Sequence, residues 1–136
     1  MKIFVDTSGW AAYFNERDVN HKKAVMVWEN LKKQRADLIT SDYILDETIT
    51  LLKARGNANV AETGGKAILS SRVIRIVRIS ENMFEGAFGL FNKYKDQQFS
   101  FTDCTSFEIM KRMEIQNAFT FDSDFVIMGF ASFYET

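Results

Sequence analysis

The stretch Ile3-Phe4-Val5-Asp6-Thr7-Ser8-Gly9-Trp10-Ala11 decides the fold. Three apolar residues in succession make the short continuous run expected of a buried strand. The run stops at a polar triplet, and Trp10, Ala11 and Phe14 then recur at helical spacing. A buried strand therefore feeds a helix through an aspartate.

The same change of period repeats along the chain. Ala24, Val25, Trp28 and Leu31 form a helical face among lysines, and Asp37 to Thr40 read as a second strand. Thr40 or Ser41 caps the next helix, which carries Ile44, Leu45, Thr48, Leu51 and Leu52 and stops at Gly56. A further helix is expected over 59–70, weakened by Gly64 and Gly65 at about 1 kcal/mol each. Val73 to Ile79, rich in β-branched residues, predict a third strand. Glu81 to Asp96 return to helical spacing. Ser100-Phe101-Thr102-Asp103 has the form of a capping box before Phe107, Met110 and Met113. Ala118 to Phe121 predict a fourth strand and Ala131 to Tyr134 a fifth.

Strands alternating with helices predict an α/β sandwich: three layers, α/β/α, around a mostly parallel sheet of about five strands. Its core is expected around Ile3, Val5, Ile39, Ile76, Phe119 and Phe121. The chain has no proline and no low-complexity linker, so residues 1–136 read as one domain.

Composition narrows the function classes. A net charge of −1 excludes the strongly basic nucleic-acid binders, although a site built of carboxylates offsets basic residues elsewhere in that count. The single cysteine, Cys104, excludes an intramolecular disulfide framework and a cysteine-rich zinc site. No apolar run approaches the roughly 20 residues that a membrane helix needs, and the N-terminus lacks a secretory apolar region. A cytoplasmic protein with no membrane association is expected.

Ligands of parallel α/β sheets collect beyond the C-terminal ends of the strands. Asp6 ends the first strand and Asp122 the fourth, which puts two acids on one sheet edge. Glu47 shares a helical row with Tyr43, Ile44 and Leu51 and is expected to face the protein, whereas Asp46 shares its face with Asp42, Thr50 and Lys53. Asp103 lies one turn before Phe107 at a helix start. Inward carboxylates are costly unless paired or bound to a cation. Four of them together suit a hard divalent ion such as Mg²⁺ or Mn²⁺, which takes oxygen ligands. Each acid alone is equally well explained as a helix cap; their joint occurrence points to a metal site.

These residues also carry a family resemblance. Phe4-Val5-Asp6-Thr7-Ser8-Gly9-Trp10, Leu45-Asp46-Glu47-Thr48, Phe99-Ser100-Phe101-Thr102-Asp103 and Ala118-Phe119-Thr120-Phe121-Asp122-Ser123-Asp124-Phe125 resemble, in order and separation, the four acidic motifs of PIN-domain ribonucleases. Among these, the chain is similar to the toxins of VapBC-type toxin–antitoxin pairs. The resemblance implies Mg²⁺- or Mn²⁺-dependent endonucleolytic cleavage of RNA. It makes Asp6 and Asp103 the core metal ligands, with Glu47 and Asp122 completing the pocket and orienting the attacking water. Thr7 or Ser8 is assigned to hydrogen bonding with phosphate or carboxylates. It also implies a homodimer and a cognate antitoxin whose basic tail blocks the acidic pocket.

Asp124 blurs the pattern as a further acid two residues on; the spacing to Phe125 favours Asp122. Cys104 reads as a small buried hydrophobe. His21 reads as packing or capping, and Lys22, Lys23, Lys32, Lys33 and Arg35 as a solvated helix face. Arg72, Arg75 and Arg78 read as protection of an edge strand. Phe84, Phe88 and Phe91, at helical spacing, are expected in the core or at a dimer interface. Two other readings share this architecture: a nuclease acting on DNA or in RNA maturation, and a PIN-like binding module that does not cleave. An Asp-nucleophile phosphotransferase is disfavoured because Ser8 stands where its second aspartate belongs.

Overall fold

The computed structural model describes residues 1–133. Among them the elements run β1 (Lys2–Val5), α1 (Thr7–Phe14), α2 (His21–Lys33), β2 (Asp37–Ser41), α3 (Asp42–Arg55), α4 (Ala58–Ser70), β3 (Ile74–Val77), α5 (Glu81–Lys93), α6 (Phe101–Arg112), β4 (Asn117–Phe119), α7 (Asp124–Ile127) and β5 (Ala131–Ser132). The five strands form one parallel sheet in the order β3-β2-β1-β4-β5. Right-handed crossovers group α1 to α4 on one face and α5 to α7 on the other, and the helix–helix packing mostly follows that division, with a smaller contact of α3 with α6 between the two groups. The expected three-layer α/β/α sandwich is therefore observed. The fifth strand is shorter than expected, and Tyr134 lies outside the described residues.

The centre of the sheet is dry because strands covered on both faces must be apolar throughout. Ile3, Phe4, Val5, Ile39, Ala118 and Phe119 are buried. Ile76 and Phe121, expected in the core, are only partly buried against it. The first lies on edge strand β3, and the second lies beyond the end of β4. Arg72, Arg75 and Arg78 are exposed along that same β3 edge, in keeping with charge protection.

Gly64 and Gly65 do not break α4, because tertiary contact outweighs their low propensity. A Cβ at Gly64 would stand 2.8 Å from Leu52 Cδ1 and 3.2 Å from Phe14 Cδ2. The glycine thus permits α4 to approach α3 and α1 closely. Phe84, Phe88 and Phe91, expected in the core or at a dimer interface, do not join the core and are exposed in the single chain, and α5 buries only Ala87 fully. Gly86 explains which face turns inward: a Cβ there would meet the Glu108 carboxylate at 2.6 Å, so α5 lies against α6 along the Gly86–Ala87 side.

The sheet's strand order changes direction between β1 and β4. From β1 the chain proceeds to β2 on one side, and from β4 to β5 on the other. The C-terminal ends of these two strands are where an open parallel sheet leaves a crevice. Trp10 braces that end: its buried Nε1–H donates to Thr40 Oγ1 at 3.2 Å, and the Thr40 hydroxyl donates to Val5 O at 3.0 Å. This chain of bonds ties α1, β2 and β1 together one residue before Asp6.

Candidate active site

Asp6 follows β1 directly, and its backbone N–H donates to Phe119 O at 3.1 Å. The parallel register pairs Val5 with Phe119, so Asp6 stands level with Thr120 across the crevice. Two hydroxyls converge on one Asp6 oxygen: Thr120 Oγ1 donates to Oδ2 at 2.9 Å and Ser8 Oγ at 3.0 Å. Each hydroxyl accepts a backbone N–H in turn. Asp122 N donates to Thr120 Oγ1 at 3.0 Å, and Phe121 N donates to Ser8 Oγ at 2.9 Å. Asp6 is thus fixed to the 120–122 segment through two hydroxyl relays, and neither hydroxyl relay uses Oδ1.

Asp103 enters from the other face of the sheet at the start of α6. Its Oδ2 accepts Ser100 N at 3.0 Å while Ser100 Oγ accepts Asp103 N at 3.0 Å, the reciprocal pair of a capping box. A capping role and a site role are therefore compatible in one residue: one oxygen of the carboxylate serves the cap. Asp122 turns the chain after β4, its Oδ1 accepting Asp124 N at 2.9 Å.

Three carboxylates approach closely. One oxygen from each of Asp103, Asp122 and Asp124 lies within 4.8 Å of the others, a spacing that a single cation could bridge. Asp6, Glu47, Asp103 and Asp122 line one cleft of about 370 Å³, so the four acids singled out in the sequence share a common space. Asp124, second choice from the sequence, belongs to the tight cluster together with Asp122. Glu47 corrects one expectation: it is exposed rather than turned into the packed interior. Its row with Leu51 does point at the protein, but what it meets there is an open cleft.

The electrostatics suit a cation. Burial, opposed by the bonds from Thr120, Ser8 and Thr7, pushes the Asp6 carboxyl up to about 6, and Asp122 adds to the rise. Burial likewise pushes Asp103 up to about 7, with the charges of Asp6, Asp122 and Asp124 adding to it and the Ser100 N–H opposing it. Asp124 is raised by burial and by Asp122. The donor set is carboxylate oxygen, with neither histidine nor cysteine in the cluster, which fits a hard divalent ion such as Mg²⁺ or Mn²⁺.

Thr120 is the residue that sequence reasoning did not single out. Its contact with Asp6 spans 114 positions and depends on the β1–β4 register, which no local pattern encodes. Ser8, one of two hydroxyls considered, takes the carboxylate-binding role. Thr7 Oγ1 is buried without a partner. His21 serves structure, with Nδ1 2.8 Å from Ala12 O. Cys104 is a buried free thiol, pushed up to about 11 by burial and the adjacent Asp103. Among the described residues no helix is long and apolar enough to cross a membrane.

Comparison with known proteins places this architecture. Residues 3–131 match the PIN domain. The 23S rRNA-specific endonuclease VapC20 of Mycobacterium tuberculosis is 38% identical over 128 residues, covering 94% of this chain and 95% of that protein. Its crystal structure, described as that of a sarcin-ricin loop cleaving toxin, superposes with a TM-score of 0.85 over 95% of this chain and 96% of that one. A VapC ribonuclease of Archaeoglobus fulgidus is 25% identical over 127 residues, which span 92% of this chain and 80% of that protein. VapBC2 of Rickettsia felis, crystallised with a fragment of promoter DNA, shares the fold at a TM-score of 0.72 and 13% identity, covering 97% of each chain. The chain belongs to the PIN-domain family and, within it, is most like the VapC proteins among these relatives.

Proposed function

We propose that this protein is a divalent-metal-dependent endoribonuclease, the toxin of a toxin–antitoxin pair, and that it cuts ribosomal RNA. The observation that carries the reading is the convergence of Asp6, Glu47, Asp103 and Asp122 on one cleft, with Asp103, Asp122 and Asp124 spaced to share a cation. The identity to a 23S rRNA-specific endonuclease over nearly the whole chain supports the substrate class.

In this reading Asp6 and Asp103 are the principal ligands of Mg²⁺ or Mn²⁺, and Asp122, joined by Asp124, completes the set. Such an ion, when bound, activates a water and neutralises charge on the phosphate. Ser8 and Thr120 hold Asp6 in one orientation through Oδ2. Glu47, across the cleft and solvated, orients the attacking water and holds its proton. A P–O bond forms to that water and the P–O bond to the leaving ribose oxygen breaks, that oxygen taking a proton from solvent in the open cleft, so the product carries a linear phosphate. Attack by the neighbouring 2′-hydroxyl would instead leave a cyclic phosphate. Mapping the ends of fragments from purified 23S rRNA tests this: linear phosphate termini are expected, and cyclic termini would contradict the mechanism.

The raised carboxyls give a pH dependence with a definite sign. Asp6 and Asp103 in the metal-free fold stand at about 6 and about 7, above the unfolded value of 3.8. The fold therefore binds extra protons between those values, and through these groups the metal-free protein loses stability as pH rises from about 4 to about 7. A cation must displace the same protons. Mn²⁺ affinity, measured by calorimetry, is expected to be at least about tenfold weaker at pH 5.5 than at pH 8. Equal affinity at both would contradict the assignment of these ligands.

The partners follow from the same family reading. The acidic cleft suits a basic antitoxin segment, and exposed Phe84, Phe88 and Phe91 on α5 support a homodimer. The protein would meet both RNA and antitoxin in the cytoplasm.

A further inference from the structure

Glu47, Leu51 and Arg55 recur every fourth residue along α3, and all three line the acidic cleft. At a rise of about 1.5 Å per residue the row carries Arg55 about 12 Å along the helix from Glu47. The row thus leads from the proposed water-orienting acid, over an apolar step, to a guanidinium at the outer end.

Among the described residues, Arg55 is the one cation lining a cleft that also presents Asp6, Asp18, Glu47, Asp103 and Asp122. It is exposed, and none of the ion pairs among the described residues involves it: those are Lys32–Glu29, Lys66–Glu62 and Arg112–Glu108. An RNA strand entering this space meets five carboxylates, only some of which a bound ion neutralises. Its flanking phosphates need a positive group, and a guanidinium binds phosphate through two parallel hydrogen bonds. A purely structural role is also available, since basic side chains in the last turn of a helix complement its dipole. Lys53 occupies that turn too and does not line the cleft, so the two residues separate the roles.

We infer that Arg55 is a positioning residue that holds a phosphate of the RNA strand beside the scissile one, directing the strand along the inner row of α3. This rests on the endoribonuclease reading above. The test measures binding of a labelled 23S rRNA fragment to Asp103→Asn protein at several salt concentrations. Arg55→Gln, Arg55→Lys and Lys53→Gln are added separately, and cleavage by the same three variants with Asp103 intact is followed in parallel. Arg55→Gln is expected to weaken binding about tenfold and to reduce the slope of log K against log salt by about 0.7, the loss of one phosphate contact on a single strand. KM should rise more than kcat falls. Arg55→Lys should restore the slope with only part of the affinity. Arg55→Gln indistinguishable from Lys53→Gln in affinity and slope, with cleavage by the parent intact, would overturn the clamp and leave the nuclease standing. RNA bound through Arg55 but never cut by the parent would overturn the endoribonuclease reading instead.

Discussion

Asp103→Asn is expected to abolish metal-dependent RNA cleavage while leaving the protein folded and, above pH 7, more stable without metal. Asparagine retains an oxygen that can accept the Ser100 N–H, so the capping box at the head of α6 survives. What disappears is a charge that burial disfavours most and that Asp6, Asp122 and Asp124 also oppose. At pH 8 the parent holds that charge at its full cost; at pH 5 the folded carboxyl is protonated while the unfolded one is ionised, so folding takes up a proton and the substitution removes a smaller cost. The melting temperature of metal-free Asp103→Asn should therefore exceed the parent's most at pH 8, by less at pH 5, and match it only below the unfolded value of 3.8, by differential scanning fluorimetry. The rate should fall by more than the roughly 10–100-fold that loss of an outer partner of a metal ligand costs. Stability and activity moving in opposite directions is the signature of a charge kept for its ligand. A variant that loses activity only because it unfolds would contradict this account.

Gly9→Ala is expected to destabilise the fold despite improving helix propensity. Gly9 sits in the first turn of α1, where a Cβ would lie 2.5 Å from the backbone oxygen of Phe119 and 3.1 Å from its Cδ1. That oxygen accepts the Asp6 N–H, and it belongs to the strand that leads into Thr120 and Asp122. Alanine in a helix gains about 1 kcal/mol over glycine. Forcing a methyl against a backbone carbonyl costs about 1–3 kcal/mol or more, and the strained Asp6–Phe119 bond adds about 1 kcal/mol. The net loss is about 1–3 kcal/mol, or roughly 5–10 °C in melting temperature, with cleavage falling further because Asp6 and the 120–122 segment move apart. Gly89→Ala is the matched control. Nothing lies within 4 Å of a Cβ there, so it should stabilise α5 by about 0.5–1 kcal/mol. A neutral Gly9→Ala would show that α1 and β4 tolerate separation.

The fold was largely legible because its signals are local. The apolar run before Asp6, the cap at Ser41 and the capping box at Ser100 are each written within a few residues, and each stands where expected. The site was legible to the extent that strand ends converge in a parallel sheet, which brought Asp6 and Asp122 to one edge. Glu47 was harder: helical spacing gives the row a side chain joins, not whether that row meets packed core or an open cleft. Thr120 was not legible, since its value lies in a register between strands more than a hundred residues apart. Phe84, Phe88 and Phe91 have the spacing of a core stripe, yet Gly86 and Ala87 form the face that docks on α6. Small residues permitting close approach outweighed large ones there. Arg55 could have been found from sequence, eight residues after Glu47 on the same row.

The central claim is that these carboxylates cut RNA by holding a divalent cation. It is tested most directly by incubating purified protein with 23S rRNA in Mg²⁺ or Mn²⁺, then with EDTA, beside Asp6→Asn and Asp103→Asn. Discrete cuts that require the metal, stop on chelation and vanish in both variants are the predicted result. Cleavage that persists in EDTA or in either folded variant would contradict the account.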